Sequence, residues 1–155
     1  MNRRVRRRDG NLVSSQETKK LLAALHPFPS SFAEDSVFTH GTVTELRFSY
    51  EYGGGRTYRS GVRFFTVRSF RWVAEGHSKA WHIEAGEDSL VEVENSRWVS
   101  ELIAAQPVRE RHLWNIHHYL VYVGDAGAYE VAAESYEILP NELIDDDSLC
   151  LGDPT

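Results

Sequence analysis

The residues best placed for chemistry lie in Ile116-His117-His118-Tyr119-Leu120-Val121-Tyr122-Val123, the turn segment Gly124-Asp125-Ala126-Gly127, and Ala128-Tyr129-Glu130-Val131-Ala132-Ala133-Glu134. Two β-rich runs flank a Gly/Asp turn, the pattern of a hairpin, and cross-strand neighbours in a hairpin come within side-chain contact. If Val123 pairs with Ala128 across a four-residue loop, His117 faces Glu134, and Trp114, Ile116, His118, Leu120 and Tyr122 share a face with Tyr129, Val131 and Ala133. This register is preferred because both apolar faces then coincide. If Gly127 closes a three-residue loop in a left-handed conformation, His118 faces Glu134 instead. Either pair offers an imidazole base with a carboxylate to fix its tautomer, and either also describes a plain cross-strand ion pair.

Seven histidines raise the question of a metal. His82 and Glu84 alternate onto one face of an expected strand, so they join His117, His118 and Glu134 as candidate catalytic residues. Adjacent His117 and His118 point to opposite faces, and neither a His-Glu-x-x-His element nor paired cysteines occur. No metal site and no cofactor is expected. Gly53-Gly54-Gly55 precedes no helix, so it marks a turn and not a phosphate cradle. There is no Gly-x-Ser-x-Gly element, and Cys150 has no base nearby, so nucleophilic catalysis lacks its first member. Tyr50, Tyr52 and Tyr58 flank the glycine turn beside Arg56, and exposed Tyr and Arg are enriched at protein-binding hot spots.

Several elements must position these groups. Ser14-Ser15-Gln16-Glu17 has capping-box spacing, and Leu21, Leu22 and Leu25 then predict a short amphipathic helix ending at His26-Pro27. Pro27, Pro29, Ser30 and Ser31 form a linker. Alternation over Val37 to Tyr52 places Thr44, Leu46, Phe48, Tyr50 and Tyr52 on one side of a half-buried strand. Thr57 to Val73 returns as a long strand or bent pair with Val62, Phe64, Phe70 and Trp72 on its apolar side and a bulge at Phe64-Phe65. Strands are expected at Ser78 to Ala85 and Leu90 to Val93. Asn95 or Ser96 caps a second helix carrying Trp98, Leu102 and Ala105, which Pro107 stops. The hairpin completes the ordered part.

The expected class is α+β: a curved, mainly antiparallel sheet with two short helices, a partly closed barrel being the alternative. The organisation is a basic arm over residues 1–13, one domain over 14–143, and an acidic tail over 144–155. A chain of 155 residues is long enough for one core without disulfides or a structural metal.

Charge is unevenly placed. Arg3, Arg4, Arg6, Arg7 and Arg8 crowd the start, and taking these five from the 17 basic residues leaves 12 against 23 acidic ones, a formal charge near −11. Such a body repels phosphate backbones and suits a cationic protein partner. The arm lacks aromatic residues for base stacking, so nucleic acid is not the expected partner. The arginines lead into Asp9-Gly10-Asn11 and not into an apolar run, so no signal peptide or membrane span is expected, and with one cysteine a cytoplasmic location is.

At Phe70-Arg71-Trp72, Glu75, His77, Trp81-His82-Ile83, and again from His118-Tyr119 through Tyr129-Glu130-Val131-Ala132-Ala133-Glu134-Ser135, the chain resembles small uncharacterised bacterial proteins, some similar in size and layout to toxin-immunity proteins. The resemblance covers the middle and C-terminal two thirds and carries over no functional residue. It points toward an immunity-like protein, and the acidic body and missing nucleophile favour a non-enzymatic binding domain. The alternative is a small-ligand or hydrolytic domain built on the His/Glu cluster, which convergence of His82, His118 and Glu134 in one concave site would favour.

Overall fold

The structure, a computed structural model, describes residues 16–25, 37–39 and 41–144. The basic arm, the Ser14-Ser15 cap, the Pro27–Ser31 linker, Cys150 and the acidic tail from residue 145 onward lie outside the described residues.

Alternating sequences make the strands. Leu46, Phe48 and Tyr50 of β3 (Val43–Tyr52) and Val62 and Phe64 of β4 (Arg56–Phe65) point inward and are buried. Glu45, Arg47 and Arg63 occupy the opposite face of this pair, joined by hydrogen-bonded ion pairs of 2.7 and 2.8 Å. These strands combine with β2 (Val37–Thr39) and β9 (Ser135–Ile144) into an antiparallel sheet of order β2-β3-β4-β9. The second sheet, also antiparallel, has the order β1-β6-β7-β8-β5, from β1 (Thr18–Ala24), β5 (Ser69–Val73), β6 (Ser89–Glu94), β7 (His117–Val123) and β8 (Gly127–Ala133).

The two sheets share one core. Leu46, Phe48, Tyr50, Val62 and Phe64 from one meet Leu90, Tyr119, Val121, Val123, Tyr129 and Val131 from the other. On its far side the five-stranded sheet buries Val91, Val93, Leu120, Tyr122 and Ala128, with Trp81 of α1 (Ala80–Ile83) packed against them. Central strands covered on both faces must be apolar at both parities, so β7 and β8 are buried almost throughout. The fold is therefore α+β and mainly antiparallel, with two open sheets instead of a closed barrel. Among the described residues no helix is long and apolar enough to cross a membrane.

Four local expectations give way. The segment expected as the first helix is β1, paired with the edge of β6 from Thr18↔Glu94 to Ala24↔Ser89. Leucine spacing over two turns fits either element, and an available sheet edge is invisible to local periodicity. Ser78 to Ala85 is a short helical turn instead of a strand, because the Lys79 backbone N–H is taken by His82 Nδ1 at 2.9 Å and Ala85 leaves the turn at φ +56°. The β3–β4 register runs unbroken through Phe64-Phe65. The irregularity lies instead between Arg59 and Gly61 against β9, opposite Pro140, which donates no ladder hydrogen bond. The hairpin does not complete the ordered part, because Ser135–Ile144 follows it as β9 along β4.

Gly53-Gly54-Gly55 forms the expected turn with positive φ at all three glycines. The β4–β5 connection turns at Thr66, φ +52°, and carries the chain to the other sheet. Phe70 and Trp72 consequently do not continue the apolar face of β4; they are 42% and 53% exposed on the edge strand β5.

Candidate functional site

The hairpin register places the polar groups. Val123 pairs with Gly127 and His118 with Ala132, so the loop is Gly124-Asp125-Ala126, which is neither the preferred four-residue loop nor the alternative three-residue loop one position later. Gly127 is required there: at φ +113° an added Cβ would stand 2.0 Å from the Val73 carbonyl oxygen of β5. Both anticipated pairings with Glu134 therefore fail. Glu134 leaves the strand pair and meets Arg68 at 3.5 Å. The expected face-sharing is reversed as well, since His118, Leu120 and Tyr122 share a face with Ala128, Glu130 and Ala132.

Glu130 is the carboxylate that His118 reaches, with Nε2 2.9 Å from Oε1. Arg71, directly opposite Glu130 on β5, donates from Nε to Oε2 at 2.7 Å and from Nη2 to Oε1 at 2.8 Å. The two-point fit of guanidinium on carboxylate fixes both planes. His118 and Glu130 side chains are 0% and 1% exposed. Burial alone would raise the Glu130 carboxyl pKa, but hydrogen bonds from His118 and Arg71, with the Arg71 charge, outweigh it and hold the group at about 2.

An ionised carboxylate only accepts, so His118 carries its proton on Nε2, and Nδ1 accepts from the Ser96 hydroxyl at 2.8 Å. Ser96 in turn caps α2 (Arg97–Ala104), its Oγ accepting the Val99 N–H at 3.2 Å. The chain Val99 to Ser96 to His118 to Glu130 is closed, with every donor used. Trp98 and the His118 ring meet in a T-shaped contact with centroids 5.0 Å apart, and Arg71 lies over Trp98 at 4.3 Å. Ser96, His118 and Glu130 have the residue types of a hydrolytic relay. Here, though, the serine is buried, spent as a helix cap, and has no open face toward a substrate.

His82 comes to the same carboxylate from α1. Its Nε2 lies 3.7 Å from Glu130 Oε2, while Nδ1 accepts the Lys79 N–H. Burial pushes the His82 pKa down, against the pull of Glu130, with Lys19, Arg71 and Lys79 lowering it further. A pocket of about 270 Å³ opens beside it, lined by Glu17, Arg71, Lys79, Trp81 and His82. Lys19 rests over the Trp81 ring at 4.6 Å and bonds the backbone carbonyls of Trp81 and Glu84.

His82 and His118 thus converge, but on Glu130, and only His82 reaches the pocket. Exposed Glu84 ends the helical turn and does not share a strand face with His82. His117 points away from His118, as alternation requires, and its Nδ1 meets Glu92 of β6 at 2.6 Å. Of the hot-spot candidates, Tyr50 is buried and stacked on Tyr58 at 5.7 Å, whereas Tyr52 and Arg56, paired at the hairpin end, are exposed. Among the described residues no group of three or more His, Cys, Asp or Glu side chains is arranged to hold a metal ion.

Glu130, Arg71, Ser96 and Trp98 are the residues that sequence reasoning missed. Parity was the available signal: one shift of the loop puts His118 and Glu130 on one face, and Arg71 between two exposed aromatics then reads as the inward side chain of β5. No protein-family model, no curated protein and no solved structure matches the chain.

Proposed function

We propose that this chain is a non-enzymatic protein-binding domain of the bacterial cytoplasm, immunity-like in size and layout, which meets a cationic protein through carboxylates at the β7–β8 turn. The observation that carries this reading is that Asp125 sits in the turn, Glu87 bridges Tyr122 beside it, and the Glu75 backbone abuts Gly127 at its end. After burial, their negative charges push the Tyr122 hydroxyl pKa up. A concentration of one sign steers an oppositely charged partner and repels nucleic-acid phosphates. The non-enzymatic part rests on the relay, whose serine is spent on a helix cap and whose histidine and glutamate are sealed from solvent.

The test uses an oligolysine peptide as a cationic probe, followed by backbone NMR at low and high salt. Shifts are expected to centre on residues 122–126 and to shrink with salt. The double variant Glu87→Gln, Asp125→Asn should weaken binding about tenfold, each exposed charge contributing roughly 0.5–1 kcal/mol. Shifts scattered over the molecule, or insensitive to salt, would overturn the reading.

A further inference from the structure

One wall of the pocket beside His82 carries a ring nitrogen with no hydrogen bond among the described residues. The His82 side chain is nine-tenths buried, and its Nδ1 is committed to the Lys79 N–H, which puts the remaining ring proton on Nε2. At 3.7 Å from Glu130 Oε2 that Nε2 is beyond hydrogen-bond range, and it makes no other hydrogen bond among the described residues. Among the described residues no fully buried side-chain nitrogen or oxygen lacks a partner, so Nε2, which lacks one, opens onto the pocket that His82 lines. The donor is therefore fixed in direction and unspent.

Two cations stand around it. Arg71 gives Nε and Nη2 to Glu130, which leaves Nη1 for a ligand while the Glu130 clamp and the Trp98 face hold the guanidinium still. A preorganised guanidinium loses little freedom on binding. Lys79, exposed at the rim, supplies a mobile ammonium, and Trp81 supplies an apolar wall. Glu130 balances the Arg71 charge from behind, so Lys79 and the His82 N–H provide the attraction while Arg71 provides direction. Glu17 is already drawn aside, its Oε1 accepting the Arg97 N–H at 2.7 Å. Donors outnumber acceptors in this lining. A volume of about 270 Å³, the space of about nine waters at roughly 30 Å³ each, is the scale of a compact metabolite.

We propose that this pocket binds a small oxyanion, the carboxylate or phosphate of a compact metabolite, on His82 Nε2, Arg71 and Lys79. The site shares no residue with the carboxylates proposed to meet a protein partner and has the opposite charge preference. An oxyanion beside the ring favours the imidazolium, so binding should raise the His82 pKa from its lowered position. That position is set first by burial and then by the charges of Glu130, Lys19, Arg71 and Lys79.

The experiment is an NMR titration of the full chain, reading the His82 imidazole and Trp81 indole signals. Sodium phosphate and sodium acetate are added separately against sodium chloride at equal ionic strength. Saturable shifts with either anion, accompanied by an upward move of the His82 titration, support the site, and the anion that saturates it identifies phosphate or carboxylate as the source. Lys79→Gln should weaken binding about fivefold, as expected for one exposed charge. His82→Gln should weaken it more; if that variant melts early, Lys79→Gln decides alone, since its side chain is exposed. Chloride-like behaviour of both anions, or saturation that Lys79→Gln leaves unchanged, would overturn the proposal.

Discussion

His117 and His118 are neighbours in sequence, both meet a glutamate, and they differ in almost everything that follows. His117 lies 2.6 Å from Glu92, with side chains 38% and 22% exposed. His118 lies 2.9 Å from Glu130, with both sealed and with Arg71 and Ser96 completing the set. Strand alternation sends one ring toward the open end of the core side and the other beneath Trp98 of α2. Similar contact distances therefore carry different consequences. An accessible pair exchanges one solvation for another, while a sealed pair has no water to fall back on. The buried network also ties three further elements to β7, since β5 brings Arg71, β8 brings Glu130 and the start of α2 brings Ser96.

The sharpest way to break this contrast is Glu130→Gln. It strands the His118 Nε2–H or part of the Arg71 guanidinium, and Arg71, 45% exposed, can recover hydration where His118 cannot. Urea unfolding should show a loss of about 3 kcal/mol, the scale for removing one member of a buried ionic set. The same carboxyl governs the acid limb. Its folded pKa of about 2 lies below the ordinary 4.5, so the stability it contributes is fully present above pH 4.5 and is lost as pH falls from there toward 2. In Glu130→Gln that part of the acid dependence should disappear. An unchanged acid limb would mean that other carboxylates dominate.

Ser96→Ala comes next. It removes the acceptor of the Val99 N–H and the donor to His118 Nδ1 in one step. The expected cost is about 2 kcal/mol, combining a lost cap with an unsatisfied ring nitrogen. Ser96→Thr keeps the hydroxyl and should recover most of it. Recovery by Thr assigns the loss to the hydroxyl, whereas equal losses in both variants would assign it to packing under Trp98.

Much of the sheet frame was legible in the residues, because half-buried strands state their inward face directly: Leu46, Phe48, Tyr50, Val62 and Phe64 are inward as alternation requires. The cap at Ser96 was legible for the same local reason. The site was not, for a physical cause. Strands buried on both faces, such as Tyr119 to Val123, are apolar at both parities, so hydrophobic alternation cannot fix their register. The deciding contact is Gly127 against Val73, two segments far apart in sequence. A single-residue shift exchanged Glu134 for Glu130. Similarly, the spacing of Leu21 and Leu22 fits a helical face, and only the free edge of β6 makes them a strand.

The smallest expected effect belongs to Glu92→Gln, and it gives the contrast its scale. Removing an accessible partner of His117 should cost less than about 1 kcal/mol, and the difference from wild type should shrink in high salt. A cost equal to that of Glu130→Gln would mean that contact distance, not burial, sets the strength of these pairs. A second readout separates electrostatics from packing. The Tyr119 hydroxyl is pushed up to about 12, first by burial and then by the charges of Glu92 and Tyr136. Deleting the Glu92 charge while keeping its shape should let Tyr119 titrate at lower pH, visible in the ultraviolet absorbance of the folded protein. The burial contribution remains in the variant, so the titration should fall only part of the way back toward an ordinary tyrosine.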